Sequence, residues 1–250
     1  IQVQSMGVGI GDINGDLLPD FVVSNRGDPP LLESLDDGSW LATNEVRSLT
    51  TELPNPDHGY YVTWGILMVD MDNDGDLDIP MVTGPVFSGN TPDNPFEQAD
   101  LLFLREGDGF INVAQEWGLE HLGNNRGLIA VDMNRDGWLD LLRRDINGKA
   151  VVHYSRCGDA NWLKVSLSQA EQNTAAIGAK VELFSGDTVQ VRWVTAGSTG
   201  LSSSSPSALH FGVGEVSDVT AIRVTWPDGM ESVFDDFLVN QEIHFSRQIR

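Results

Sequence analysis

The stretch VDMDNDGDLDIP, residues 69–80, sets the tightest limit on what this chain can fold into. Asp70, Asp72, Asp74, Asp76 and Asp78 stand at every second position, and like charges a few ångströms apart repel by roughly 3 kcal/mol at an effective dielectric near 20. A fold that gathers them must neutralise them. The pattern recurs as DINGDLLPD at 12–20 and DMNRDGWLD at 132–140, so the loops begin 58 and 62 residues apart, a spacing that marks a structural repeat. Each loop follows a short apolar run containing Gly (GVGIG, WGILMV, GLIAV) and precedes another (FVVS, IPMVT, LL). Runs this short, with no room for a helical period, read as buried strands.

The units agree further downstream. LLESLDDGSWLATNEV at 31–46 parallels LLFLREGDGFINVAQEWGL at 101–119: a strand, an Asp-Gly turn, and an aromatic residue opening the next strand. Each unit is therefore expected to hold four strands, with the acidic loop between the first and the second. Four-stranded units recurring along a chain have the organisation of propeller blades.

At loop positions 1, 3, 5 and 9 the repeats carry Asp12, Asn14, Asp16 and Asp20; Asp70, Asp72, Asp74 and Asp78; and Asp132, Asn134, Asp136 and Asp140. Oxygen donors without His or Cys select a hard cation. Calcium suits them, since it takes six to eight oxygens at roughly 2.3–2.6 Å in flexible geometry. Position 7 would add a backbone carbonyl, from Leu18, Asp76 or Trp138, which leaves the Asp76 side chain to face solvent. Up to three Ca²⁺ ions are expected on this reading. Gly75 and Gly137 stand at position 6, where the chain turns sharply; the first loop departs, with Gly15 at position 4 and Leu17 at position 6. An EF-hand would need a Glu at position 12, where Val23, Met81 and Arg143 stand instead, and helices in place of strands.

The formal charge of −22 argues against nucleic acid and against anionic membrane surfaces, both of which need Lys and Arg. Aspartate outnumbers glutamate 25 to 12, which fits carboxylates carried on loops rather than helices. No apolar run approaches the ~20 residues that span a bilayer, so no membrane insertion is expected. Cys157 is the sole cysteine, so no internal disulfide forms. Ile1 does not open a signal peptide, which reads as a mature or truncated chain.

The tail is also β-structure. WLKVSL, AKVELF, TVQVRWV, AIRVTW and ESVF alternate apolar and polar residues with period two, and SGD and PDG supply turns. Trp162, Trp193 and Trp226 are expected to fill the core of this part.

With the loops in hand, the chain resembles the FG-GAP/VCBS repeats of integrin-α-like propellers. NWLKVSL, IGAKVELF, TAGSTGLSSSSPSALHFGVG and IRVTWPDG resemble the ASPIC/UnbV domain that follows such repeats. The resemblance implies an all-β chain: FG-GAP/VCBS-type β-propeller blades over residues 1–160, then a small β-sandwich-like ASPIC/UnbV domain over 161–250. About three blades are present, fewer than the four to eight of a closed ring, so the propeller is expected to be open or incomplete. Pro80, Arg143 and Arg144 interrupt strands that are apolar in this family, which would place those strands at an edge or against a partner.

Other motifs carry less. GVGIG lacks the third glycine of a dinucleotide loop. The RGD tripeptide at 26–28 would engage an integrin only if displayed. The five histidines show no ligand spacing, and carboxylates held ionised by a cation are in the wrong state for a general acid. The expected function is a non-catalytic, calcium-binding, extracellular or cell-surface scaffold or adhesion protein with a protein or glycan partner. The alternative is a subunit of an extracellular fibre, pairing with itself through open edges. An enzyme or biosynthetic accessory role has no catalytic constellation behind it.

Overall fold

The computed structural model describes residues 3–52, 60–86, 98–155, 158–170, 172–197, 200 and 203–248; Cys157 and His58 lie outside them. Twenty strands and no helix are found among the described residues. The first sheet runs in chain order through β1 (Val8–Gly11), β2 (Asp20–Val23), β3 (Leu31–Ser34) and β4 (Trp40–Ala42). The second is formed by β5 (Thr63–Ile66), β6 (Ile79–Thr83), β8 (Leu101–Glu106) and β9 (Gly109–Asn112), while β7 (Gln98–Ala99) pairs separately with β10 (Leu122–Gly123). The third holds β11 (Asn125–Val131), β12 (Asp140–Asp145) and β13 (Ala150–His153), so its fourth strand is missing among the described residues. All pairs within these sheets are antiparallel. Each acidic loop joins the first strand of its sheet to the second, as the repeat predicts.

The sheets stack face to face rather than close on themselves. One apolar core lies between the first two, built from Ile13, Val22, Leu31, Ile66, Leu77, Ile79, Phe103 and their neighbours. A second lies between the second and third, with Leu67, Met71, Leu102, Leu128 and Leu141. The faces are apolar because side chains alternate along each strand, and each buried Leu or Ile contributes roughly 1.5–3 kcal/mol.

The remaining strands are β14 (Asn161–Gln169), β15 (Lys180–Ser185), β16 (Thr188–Trp193), β17 (Leu209–Gly214), β18 (Asp218–Thr225), β19 (Glu231–Leu238) and β20 (Gln241–Arg247). They make two sheets, in the orders β17-β14-β20 and β16-β15-β18-β19, packed over a core of Leu163, Val165, Val181, Leu183, Phe211, Ile222 and Trp226. This is a sandwich. Its last strand, β20, lies parallel to β14. A cavity of about 170 Å³ separates the sandwich from the innermost strands of the blades, with Val8, Leu67, Val131, Trp193 and His210 among its walls.

Several expectations change. The hairpin of the second blade turns on Gly107 and Asp108, because Glu106 pairs with Gly109. Pro80 and Arg143 are not on edges: β6 and β12 are each paired on both sides. Pro80 accepts a bond from the Leu67 amide at 3.2 Å but has no N–H to return, so it costs that rung one hydrogen bond. Arg143 is buried, donates to Asn125 Oδ1 at 2.9 Å and lies 3.6 Å from the Asp100 carboxylate; Arg144, one residue on, points to the opposite face and caps the Gly148 carbonyl at 2.8 Å. Burying a guanidinium is tolerable only with such partners. Of the three tryptophans assigned to the sandwich core, only Trp226 is in it.

Candidate metal centre

The three acidic loops share one backbone. Positions 4 and 6 are left-handed in each: Gly15 and Leu17 (φ 77° and 68°), Asn73 and Gly75 (61° and 102°), Arg135 and Gly137 (63° and 89°). The first loop therefore departs in residue type and not in conformation. Its glycine relieves position 4, and Leu17 carries the strain at position 6 that glycine removes in the other two.

The same hydrogen bonds recur. The position 1 carboxylate accepts the amide of position 6: Leu17 to Asp12 at 2.9 Å, Gly75 to Asp70 at 2.9 Å, Gly137 to Asp132 at 3.1 Å. Asp16, Asp74 and Asp136 at position 5 accept from Leu18, Asp76 and Trp138 at 2.8, 2.8 and 2.9 Å. Asp20, Asp78 and Asp140 at position 9 are buried and use both oxygens. One accepts the amide of position 2 (Ile13, Met71, Met133), and the other accepts an amide farther along the sheet (Ser34, Arg105, Ser155). Much of the aspartate periodicity is thus a device for satisfying backbone N–H groups that the tight bend leaves without partners.

The loops diverge where charge has to be balanced. In the first and third, Asn14 and Asn134 donate to Asp16 and Asp136 at 3.0 and 2.8 Å, and Asp12 and Asp132 each use both oxygens within the loop. In the second, Asp72 replaces asparagine and has no such proton to give. Asp70, Asp72 and Asp78 converge there, with one oxygen of each within 4.8 Å of the others. No other group of three metal-binding side chains gathers among the described residues. Asp70 is 1 % exposed, and its Oδ1 accepts no hydrogen bond. Asp74 stays outside the triad, and Asp76 faces Arg105 at 3.3 Å.

Burial pushes the Asp70, Asp72, Asp76 and Asp78 carboxyls upward. Asp78 rises to about 9 and Asp70 to about 7, the latter restrained by Arg192 and raised further by Asp74 and Asp72. Asp72 rises to about 6, through burial and then Asp74. In the first loop burial raises Asp20 to about 6. A buried carboxylate with a bare oxygen, crowded by two others and with no counter-ion at contact distance, is what a hard divalent cation stabilises. Asp70, Asp72 and Asp78 would hold it, with hard oxygen donors only.

The sandwich covers this loop. Gly212 N donates to Asp70 Oδ2 at 3.1 Å, Gly214 N donates to the Asn73 carbonyl at 2.8 Å, and His210 Nε2 lies 2.6 Å from Asn73 Oδ1. Trp162 packs against Gly137 of the third loop so closely that no Cβ would fit there, and its ring stacks near His210. Sequence reasoning missed His210, Gly212 and Arg192. One signal was present: in HFGVG, Phe211 and Val213 face the core, so His210, Gly212 and Gly214 share the other face. Glycines on one face of a strand announce the close approach of another backbone.

In the RGD tripeptide Arg26 is exposed and Asp28 is half-buried and tied to Thr51. Asp28 Oδ1 accepts from the Thr51 amide and hydroxyl at 2.6 and 3.0 Å.

Comparison with known proteins follows the same division. Residues 12–79 match the family model described as FG-GAP-like repeat, and residues 169–249 match the model described as ASPIC and UnbV. Cartilage acidic protein 1 of Homo sapiens is 26% identical over 230 residues, covering 89% of this chain and 33% of the relative. The Mus musculus protein is 26% identical over 230 residues, with 34% of its length covered, and the Xenopus tropicalis protein 27% over 236 residues, again with 34% covered. The chain is homologous to these proteins and spans about a third of their length.

Proposed function

From a chain that joins an FG-GAP-like repeat to an ASPIC/UnbV domain and is homologous to cartilage acidic protein 1, we propose a calcium-binding, non-catalytic scaffold that works outside the cytoplasm through protein or glycan contacts. The blades occupy residues 1–160 and the sandwich domain 161–250. The observation that carries the calcium reading is the bare, buried Asp70 Oδ1 beside Asp72 and Asp78. In this reading the cation stiffens the loop by holding Asp70, Asp72 and Asp78 together. No helix among the described residues is long and apolar enough to cross a membrane.

A melting curve with calcium and with chelator tests this. Calcium raises the midpoint by binding the folded state preferentially, and identical curves would refute the reading. The difference also depends on pH. Asp72, Asp70 and Asp78 titrate in the folded chain near 6, 7 and 9, above the ordinary value of 3.8. Without metal the folded state therefore keeps protons that the unfolded state has lost, and stability falls as pH rises from about 4 towards 9. Calcium substitutes for those protons, so its gain is small at pH 5 and large at pH 8.

A second reading, self-assembly into a fibre, is favoured by the outer strands. Trp40 and Leu41 on edge strand β4 are 56% and 55% exposed, and Val233 and Leu238 on edge strand β19 are 58% and 72% exposed. Exposed apolar edges invite pairing. Sedimentation with calcium separates the readings: a sharp monomer boundary removes the fibre.

A further inference from the structure

We propose that the second acidic loop is a site shared between blades and sandwich: His210 and the Gly212 amide are positioning groups for Asp70 and Asn73, so cation affinity at this loop and docking of the sandwich rise and fall together. The inference rests on the calcium reading and goes beyond it, because the loop's own nine residues would otherwise suffice.

Three observations carry it. First, Asp70 is the one position 1 carboxylate that keeps an oxygen bare. Asp12 and Asp132 each accept the amide of position 5 on Oδ1, at 3.2 Å in both cases. In all three loops the position 5 amide reaches the position 3 side chain, but in the second it reaches only that, Asp72 at 3.3 Å, and Asp70 Oδ2 takes the amides of Gly75 and Gly212. The sandwich thus contributes a donor that holds Asp70 by one oxygen and leaves the other for a ligand.

Second, Asn73 is fixed from three sides. Its Nδ2 donates to the Gly137 carbonyl at 3.1 Å, its carbonyl accepts the Gly214 amide, and its Oδ1 faces His210 Nε2. Because the amide nitrogen is committed to Gly137, the oxygen must face the histidine, which requires His210 to carry its proton on Nε2 and donate. Asn73 sits at left-handed position 4, so these bonds hold the bend that sets Asp72 opposite Asp70.

Third, the fit leaves no slack. A Cβ on Gly212 would overlap Asp70 Oδ2 and the Asn73 backbone. Arg192 of β16 lies close enough to interact with Asp70, Asp12 and Asp76, so the sandwich also brings positive charge to the acidic face it covers. A cation that orders Asp70 and Asp72 orders the surface on which β17 rests, and by linkage the docked sandwich must tighten the cation by the same factor.

The test is a calcium titration by calorimetry on the whole chain, with hydrogen exchange followed in the 209–214 segment. Asp72→Asn identifies the binding step that belongs to this loop. Gly212→Ala and His210→Leu should each weaken that step by about tenfold or more, within the usual range of coupling, and leave other steps unchanged. His210→Gln, which keeps a donor for Asn73, should restore it. Calcium should slow exchange at 209–214 in the wild type and not in Asp72→Asn. If wild type and Asp72→Asn give one isotherm, the calcium reading itself fails at this loop. If Asp72→Asn removes a step that Gly212→Ala and His210→Leu leave intact, the loop binds alone and the shared site is overturned. Should Gly212→Ala not fold, the His210 pair decides.

Discussion

The second and third acidic loops have nearly the same chemistry and opposite electrostatic situations. Both place aspartate at positions 1, 5 and 9 and glycine at position 6, and in both the position 6 amide bonds the position 1 carboxylate and the position 7 amide bonds the position 5 carboxylate. They part at position 3. Asn134 donates a hydrogen bond to Asp136 at 2.8 Å, whereas Asp72 meets Asp70 and Asp78 with carboxylate against carboxylate. The comparison teaches that alternating aspartates do not by themselves demand a cation. Backbone N–H groups neutralise part of such a loop, and the proposed cation would balance what remains where the last side-chain donor is exchanged for another acceptor.

Exchanging Asp72 for asparagine should break this difference with the largest effect. The variant gains a donor towards Asp74 and exchanges a charged oxygen donor for a neutral one, which weakens the hold on a cation. Its melting point in chelator is expected to equal or exceed that of the wild type, while its response to calcium collapses. At a hundredfold excess of calcium over the dissociation constant the lost stabilisation would be about 2.7 kcal/mol. A full calcium response in Asp72→Asn would place the metal elsewhere and erase the distinction between the loops.

The reverse exchange, Asn134→Asp, should produce a smaller effect of opposite sign. It adds a carboxylate beside Asp132 and Asp136 and removes a hydrogen bond, so the metal-free chain loses roughly 1 kcal/mol. Calcium should recover part of that loss. Terbium in place of calcium offers a local readout, since Trp138 lies within the same loop; emission sensitised through tryptophan should rise in Asn134→Asp above the wild type. No change in either measurement would mean that position 3 does not set the demand for metal.

These contrasts also mark how far the sequence could be read. The strand order of the blades was legible because alternation and spacing are local properties, and the period-two runs of the tail mapped directly onto β14, β15, β16, β18 and β19. β17 and β20 were not among them: one lay inside a glycine-rich motif, and the other pairs in parallel with a strand nearly eighty residues away. The set of loop aspartates was legible, but not which of them face one another. That depends on whether an amide from another part of the chain reaches a given oxygen, as Gly212 does for Asp70. The burial of Arg143 was misread for the same reason, since its partners Asp100 and Asn125 come from outside its own strand.

The first loop supplies the finest test, because it adopts the common backbone with the wrong residue at one position. Leu17 holds φ at 68° where Gly75 and Gly137 stand in the other loops, and a left-handed residue with a Cβ costs roughly 1–2 kcal/mol. Leu17→Gly relieves that strain, but glycine also enlarges the freedom of the unfolded chain, which returns about 0.5–1 kcal/mol of the gain. The expected outcome is a small net stabilisation, about 0.5 kcal/mol, read as a shift in the denaturant midpoint at unchanged slope. Since Leu17 lies outside the core between the first two blades, little packing is lost to offset it. A destabilised Leu17→Gly would show that the leucine side chain contributes more through its contacts than its backbone costs, and the three loops would then differ in more than the residue at position 3.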